Sequence, residues 1–165
     1  MRILGIDPGY AIMGYGVIEK VGSRIIPVCC DVITTDKDMP MPQRLKVLYN
    51  GLMHAIAHYG PTEASIEKLF FNTNSTTAIG VGEARGVAIL ACINSGLDIY
   101  EYTPLEIKMS VTGYGRADKK QMQQTVARLL GLDEVPSPDD AADALAAALC
   151  HSHTGELRKK MFSMK

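Results

Sequence analysis

Arg2-Ile3-Leu4-Gly5-Ile6-Asp7-Pro8-Gly9 is the stretch whose reading decides the fold. Ile3, Leu4 and Ile6 make a near-continuous apolar run bounded by a turn, the pattern of a buried strand. Pro8-Gly9 suits the centre of a type II turn, so the strand ends just past Asp7. A carboxylate at the tip of a buried strand is costly to desolvate unless cations or hydrogen-bond donors meet it. Asp7 therefore predicts partners elsewhere in the chain, and three further acids answer: Glu67, Asp140 and Asp143.

Outward from that turn, Gly14-Tyr-Gly-Val-Ile alternates like a strand, and residues 24–35 form a third β-rich run, which together predict an antiparallel meander. Pro40 and Pro42 open a helix with Leu45, Leu48, Leu52, Ile56 and Tyr59 at helical spacing, closed by Gly60-Pro61. Ala64-Ser-Ile-Glu67 then reads as a strand parallel to the first, because a crossover helix returns the chain to the same end of the sheet. Glu67 thereby falls at the same edge as Asp7.

Phe70-Phe71 and a polar loop from Asn72 lead into a helix over about Ala78–Asn94, whose Gly82 and Gly86 invite close approach of another element, either within the domain or across a twofold dimer contact. A fifth strand over Leu97–Tyr102, a short helix from Pro104, a loop at Gly113-Tyr-Gly115 and a helix from Asp118 follow. The last helix is expected from Pro138, capped by Ser137, to about Cys150, and the polar, basic tail over 154–165 is expected to be disordered.

The chain of 165 residues suits one domain, over 1–153, large enough to fold alone. Cys29, Cys30, Cys92 and Cys150 form no CxxC pair and read as reduced thiols. Too few apolar residues precede Asp7 for a signal peptide, and no apolar run is expected to reach the ~18 residues of a membrane span. The sequence thus predicts a cytoplasmic protein without membrane contact. Seventeen Lys plus Arg against eighteen Asp plus Glu leave a net charge of −1, so a nucleic-acid footprint has to be local. The cations from Lys108 to Arg128 and from Arg158 to Lys165 are the candidates, with solvated helix faces as the alternative. His54 and His58 stand four apart on the first helix but lack a third ligand, and His151 and His153 close the last helix, where cations favour its dipole. Neither pair predicts a metal site.

Asp140 and Asp143 are three apart at the start of the last helix and share a face. Helix-dipole compensation accounts for Asp139 and Asp140 in the first turn. It does not account for Asp143, placed among alanines in the second. Four carboxylates at one sheet edge repel one another and raise each other's pKa unless a divalent cation neutralises them. Hard oxygen donors suit magnesium or manganese, and two such ions about 4 Å apart support phosphodiester hydrolysis.

Ile6-Asp-Pro-Gly9, Gly14-Tyr-Gly-Val17, Ile66-Glu-Lys-Leu-Phe70, Ala84-Arg-Gly86, Val111-Thr-Gly-Tyr-Gly115 and Asp140-Ala-Ala-Asp-Ala-Leu-Ala146 together resemble the RuvC family of bacterial Holliday-junction resolvases, in order, over about residues 1–153. The resemblance implies an α/β, ribonuclease-H-like fold: a five-stranded mixed sheet flanked by helices. It also implies a homodimer that places paired, symmetric nicks in a four-way DNA junction in recombination and repair, beside a branch-migration helicase. By position it implies Asp7, Glu67, Asp140 and Asp143 as catalytic acids holding two magnesium ions, with manganese able to substitute. Lys108 and Lys119 match basic positions near the DNA backbone, with Lys120 an open alternative to Lys119, and Phe70 matches an aromatic position that stacks at the junction. Asp139 is an added acid that helical spacing allows into the site.

Two other classes fit parts of this pattern. ATPases of the actin and sugar-kinase type also open on a strand ending in Asp-x-Gly, but they need two such domains and this chain supplies one. A ribonuclease-H-like nuclease with another substrate shares the acids, which specify chemistry and not substrate.

Overall fold

The computed structural model describes residues 1–69 and 75–163. Five strands form one sheet in the order β3-β2-β1-β4-β5: β1 (Arg2–Asp7), β2 (Ile12–Val21), β3 (Arg24–Thr34), β4 (Glu63–Glu67) and β5 (Asp98–Tyr102). β1, β2 and β3 pair antiparallel, and β4 and β5 run parallel to β1. The meander and the parallel return are as the sequence predicts. The crossover from β3 to β4 is α1 (Met41–Tyr59), which Gly60 ends in the left-handed conformation, φ 59°. Leu48, Leu52 and Ile56 are its buried stripe, while Leu45 and Tyr59 flank it half-buried.

Helices cover both faces. α1 and α2 (Ser75–Asn94) pack on the face to which Leu4, Ile6, Met13, Val17 and Ile66 point. On the other, α3 (Pro104–Thr112), α4 (Lys119–Leu130) and α5 (Asp139–Ser163) bury Ile3, Ile18, Ile107, Val126 and Leu145. The two-residue period of a strand decides which side chain meets which helix layer.

The contact between α5 and the sheet depends on three glycines of that parity. A Cβ at Gly5 would lie 1.9 Å from the carbonyl oxygen of Ala144, one at Gly14 would lie 1.9 Å from that of Asp140, and one at Gly16 would lie 2.7 Å from the Leu145 side chain. With Ala141, Ala142, Ala144, Ala146, Ala147 and Ala148 all buried on the helix, backbone approaches backbone. The Ala-rich composition of α5 is thus a packing requirement. Ser65 Oγ adds a buried hydrogen bond of 2.6 Å to the Ala147 carbonyl.

Three expectations are corrected. α5 begins at Asp139, one residue later than read, with the Pro138 carbonyl accepting from Ala141 N at 3.1 Å, and it continues to Ser163, so residues 154–163 are helical and not disordered. Arg158 supports this extension by pairing with Glu106, lying 4.2 Å over the Tyr102 ring and donating to the Glu101 carbonyl at 2.6 Å. His151 does not close a helix: it is buried in mid-helix, with Nε2 2.6 Å from Glu63 Oε2 and Nδ1 2.6 Å from Tyr102 Oη. Finally, Thr77–Asn94 is long and apolar enough to cross a membrane by length and composition. Its Ala84, Ala88, Ala91 and Cys92 nevertheless lie in the core, and Arg85 pairs with Glu101 of β5.

His54 and His58 are exposed and stack at 6.3 Å. All four cysteines are free.

Candidate active site

Strand alternation places the first two acids. Ile3 and Gly5 face α5, so Asp7, two residues on, faces it too. On β4, Glu63 and Ser65 bond to α5 residues, and Glu67 continues that row. Ile6 pairs with Ile66 in the parallel ladder, which sets Asp7 and Glu67 side by side at the carboxyl ends of adjacent strands. The Gly14 contact brings the first turn of α5, with Asp140, down onto β2 beside Asp7, whose strand partner is Gly14. Asp143 follows one turn later, lining a cleft with Glu67, Lys108, Lys119 and Met122. The structure thus brings together the four acids that the sequence singled out.

Their electrostatics bear out the expected crowding and revise its cause. Burial is the largest reason that the Asp7 carboxyl is pushed up to about 7; the charges of Glu67, Asp143 and Asp140 add to it, and Lys119 opposes. Glu67 is also pushed up to about 7, by burial first and then by Asp143, against the pull of Lys108 and Lys119. Asp143 is raised by burial, offset in part by Lys119, with Asp139 and Asp140 adding repulsion. Desolvation leads and mutual repulsion follows.

The ambiguities of the motif separate here. Lys119 Nζ lies 3.0 Å from Asp139 Oδ2 and 3.5 Å from Asp143 Oδ2. Asp139 also accepts from Gln123 Nε2 at 2.7 Å, and its carboxyl is lowered by these two bonds. Asp139 therefore ties α5 to α4, whereas Asp140 is the one whose charge bears on Asp7. Of the two lysines, Lys119 meets the acids, and Lys120 is exposed and outside the residues lining the cleft. Lys108 lines the cleft and acts on Glu67. The expected stacking residue Phe70 lies outside the described residues.

Among the described residues, no three His, Cys, Asp or Glu side chains stand close enough together to hold a metal ion as they are. The donor set still fits a hard divalent cation, because it is all oxygen and half-buried, and the raised carboxyls of Asp7 and Glu67 would give up their protons readily to such a charge. Sequence reasoning missed Lys68, which lines a second lobe of the cleft with Asp7, Glu67 and Val81. It also missed Gly5 and Gly16 as the seat of α5, although Gly14-Tyr-Gly16 beside an alanine-rich helix carried the signal.

Comparison with known proteins follows the same outline. A family model described as crossover junction endodeoxyribonuclease RuvC matches residues 3–151. Relatives described as crossover junction endodeoxyribonuclease RuvC include one from Desulfitobacterium hafniense, 56% identical over 161 residues, 98% of each chain. Another, from Caldanaerobacter subterraneus, is 52% identical over 161 residues, also 98% of each chain. Among solved structures, T. thermophilus RuvC in complex with a Holliday junction substrate superposes with a TM-score of 0.90 at 30% identity, over 96% of both chains.

Proposed function

The chain belongs to the RuvC family of crossover junction endodeoxyribonucleases, and from that premise we propose that it resolves four-way DNA junctions by paired, symmetric nicks that depend on magnesium. The observation that carries this reading is the convergence of Asp7 and Glu67, from the ends of two parallel strands, with Asp140 and Asp143 from the helix seated against them.

Asp7, Glu67, Asp140 and Asp143 are the residues that would hold the cations. Magnesium, or manganese in its place, would supply positive charge there and lower the pKa of a water. The protein's own part is to keep the four carboxyl groups half-buried at one end of the sheet. Lys119 holds Asp143 in an ion pair, and Lys108 stands beside Glu67, so both ammonium groups border the cleft where a phosphate backbone has to pass.

A second copy completes the proposal. Ile79, Gly82, Gly86, Leu90 and Ile93 recur along one side of α2; Ile79, Leu90 and Ile93 are more than half exposed, and a Cβ at either glycine would meet nothing within 4 Å. The glycines are therefore not explained by packing within the domain, and an uncovered apolar stripe with small residues fits the same stripe on a twofold mate. A branch-migration helicase as partner and the cytoplasm as the place of work belong to the same proposal.

The test is cleavage of a synthetic mobile four-way junction beside linear duplex and an RNA–DNA hybrid, with magnesium or with EDTA. Symmetric nicks confined to the junction and abolished by EDTA are expected, with 5′-phosphate and 3′-hydroxyl ends. Cutting of the hybrid or duplex with the junction ignored would keep the four-acid chemistry and overturn the substrate.

A further inference from the structure

The cleft at the four acids has two lobes that share Glu67 and Pro104. One is bounded by α3, α4 and α5 and carries Lys108, Lys119 and Asp143. The other opens between the ends of β1 and β4 and α2, and carries Asp7, Lys68 and Val81. Each lobe has an acid of the site and at least one cation, and Glu67 lies at their junction.

The lysines differ in their engagement. Lys119 is already bound by Asp139 and Asp143. Lys68 follows Glu67 directly, is exposed, and among the described residues has no carboxylate within ion-pair distance. Its backbone is fixed, since its N–H donates to the Tyr102 carbonyl at 2.8 Å. An ammonium on an anchored backbone beside two carboxyl groups of the site is placed for an anion that passes over them.

We propose that Lys68 grips a DNA phosphate next to the scissile one, on the side facing the crossover point, while Lys108 and Lys119 hold the strand on the side of the arm. This rests on the junction-nicking reading above. The direction comes from α2: Val81 walls the Lys68 lobe, and the exposed stripe of the same helix is the surface proposed above to meet a second copy. In a twofold dimer acting symmetrically, the exchange point of the junction lies near the twofold axis. The Lys68 lobe is the nearer to that axis, so the strand crossing it runs towards the exchange point.

The experiment pairs full-length protein and Lys68→Ala with junctions carrying one neutral methylphosphonate, either on the crossover side or on the arm side of the scissile phosphate. On the unmodified junction, Lys68→Ala is expected to bind roughly 5- to 10-fold more weakly at low salt, with a salt dependence shallower by about one phosphate contact. Lys68→Arg should restore binding. The crossover-side methylphosphonate should weaken the wild type by a similar factor and add nothing to Lys68→Ala, whereas the arm-side one should weaken both. Independent, multiplying losses at the crossover side, or a loss shared with the arm side instead, would overturn the proposal while wild-type cutting of the unmodified junction left the nuclease reading intact. Absence of that cutting would overturn both. Unchanged thermal unfolding of Lys68→Ala, an exposed position, keeps the comparison free of folding effects.

Discussion

Asp7 shows how one residue links folding to chemistry. It sits at the end of a strand whose alternation turns it towards α5, and burial holds its carboxyl well above the ordinary carboxylate range. Asp7→Asn should abolish cleavage while leaving junction affinity within a few-fold, read by nicking and gel-shift assays side by side, because on the proposed reading the group lost would hold a cation and not the DNA arms. The same burial makes stability depend on pH. Asp7 and Glu67 rise from 3.8 and 4.5 in the unfolded chain to about 7 in the folded one, so folding takes up protons between those values. Their contribution is fully present below about pH 4 and lost as pH rises through about 7. Metal-free protein should therefore be less stable at pH 8 than at pH 5, by several kcal/mol for the two groups together, and melt at a lower temperature. In calorimetry, added magnesium should raise the melting temperature more at pH 8, where the ligands are deprotonated, and Asp7→Asn should flatten the pH dependence.

At the level of elements, the site depends on how closely α5 lies on β1 and β2. Gly14→Ala drives a methyl into the Asp140 carbonyl, and Gly5→Ala does the same at Ala144. Each should cost about 1–3 kcal/mol in urea unfolding and reduce cleavage by displacing Asp140 and Asp143 from Asp7. The meander, the parallel return through the crossover helix and the four candidate acids were legible in the sequence, because apolar period, turn residues and an acid without a core role are local signals. Other features were not. His151 looked like a helix-end cation because its partners, Glu63 and Tyr102, lie far away in sequence and only the sheet register brings them near. The extent of α5 was misread for the same reason: Arg158 finds Glu106 and Tyr102 only after the chain has folded back. Lys68 passed unnoticed because its importance lies in a lobe built by three separate elements.

For the whole molecule, the measurable property is assembly. Only 28% of the apolar window over Thr77–Asn94 is buried within the chain, which leaves α2 with apolar surface that a partner would cover. Gly86→Arg places a long cation on open surface, so the fold should be unaffected and the melting temperature of the monomer unchanged. Sedimentation should shift from dimer to monomer, and junction products should shift from paired to single nicks. A variant that remains dimeric would remove α2 as the interface.

The acids come from residues 7, 67, 140 and 143, so the proposed cutting centre spans most of the polypeptide. During synthesis the sheet with its first two acids leaves the ribosome well before α5. A nascent or truncated chain therefore holds only half of the centre, and a chain whose α5 has peeled away returns to that state. With that centre, cutting activity reports on completed folding.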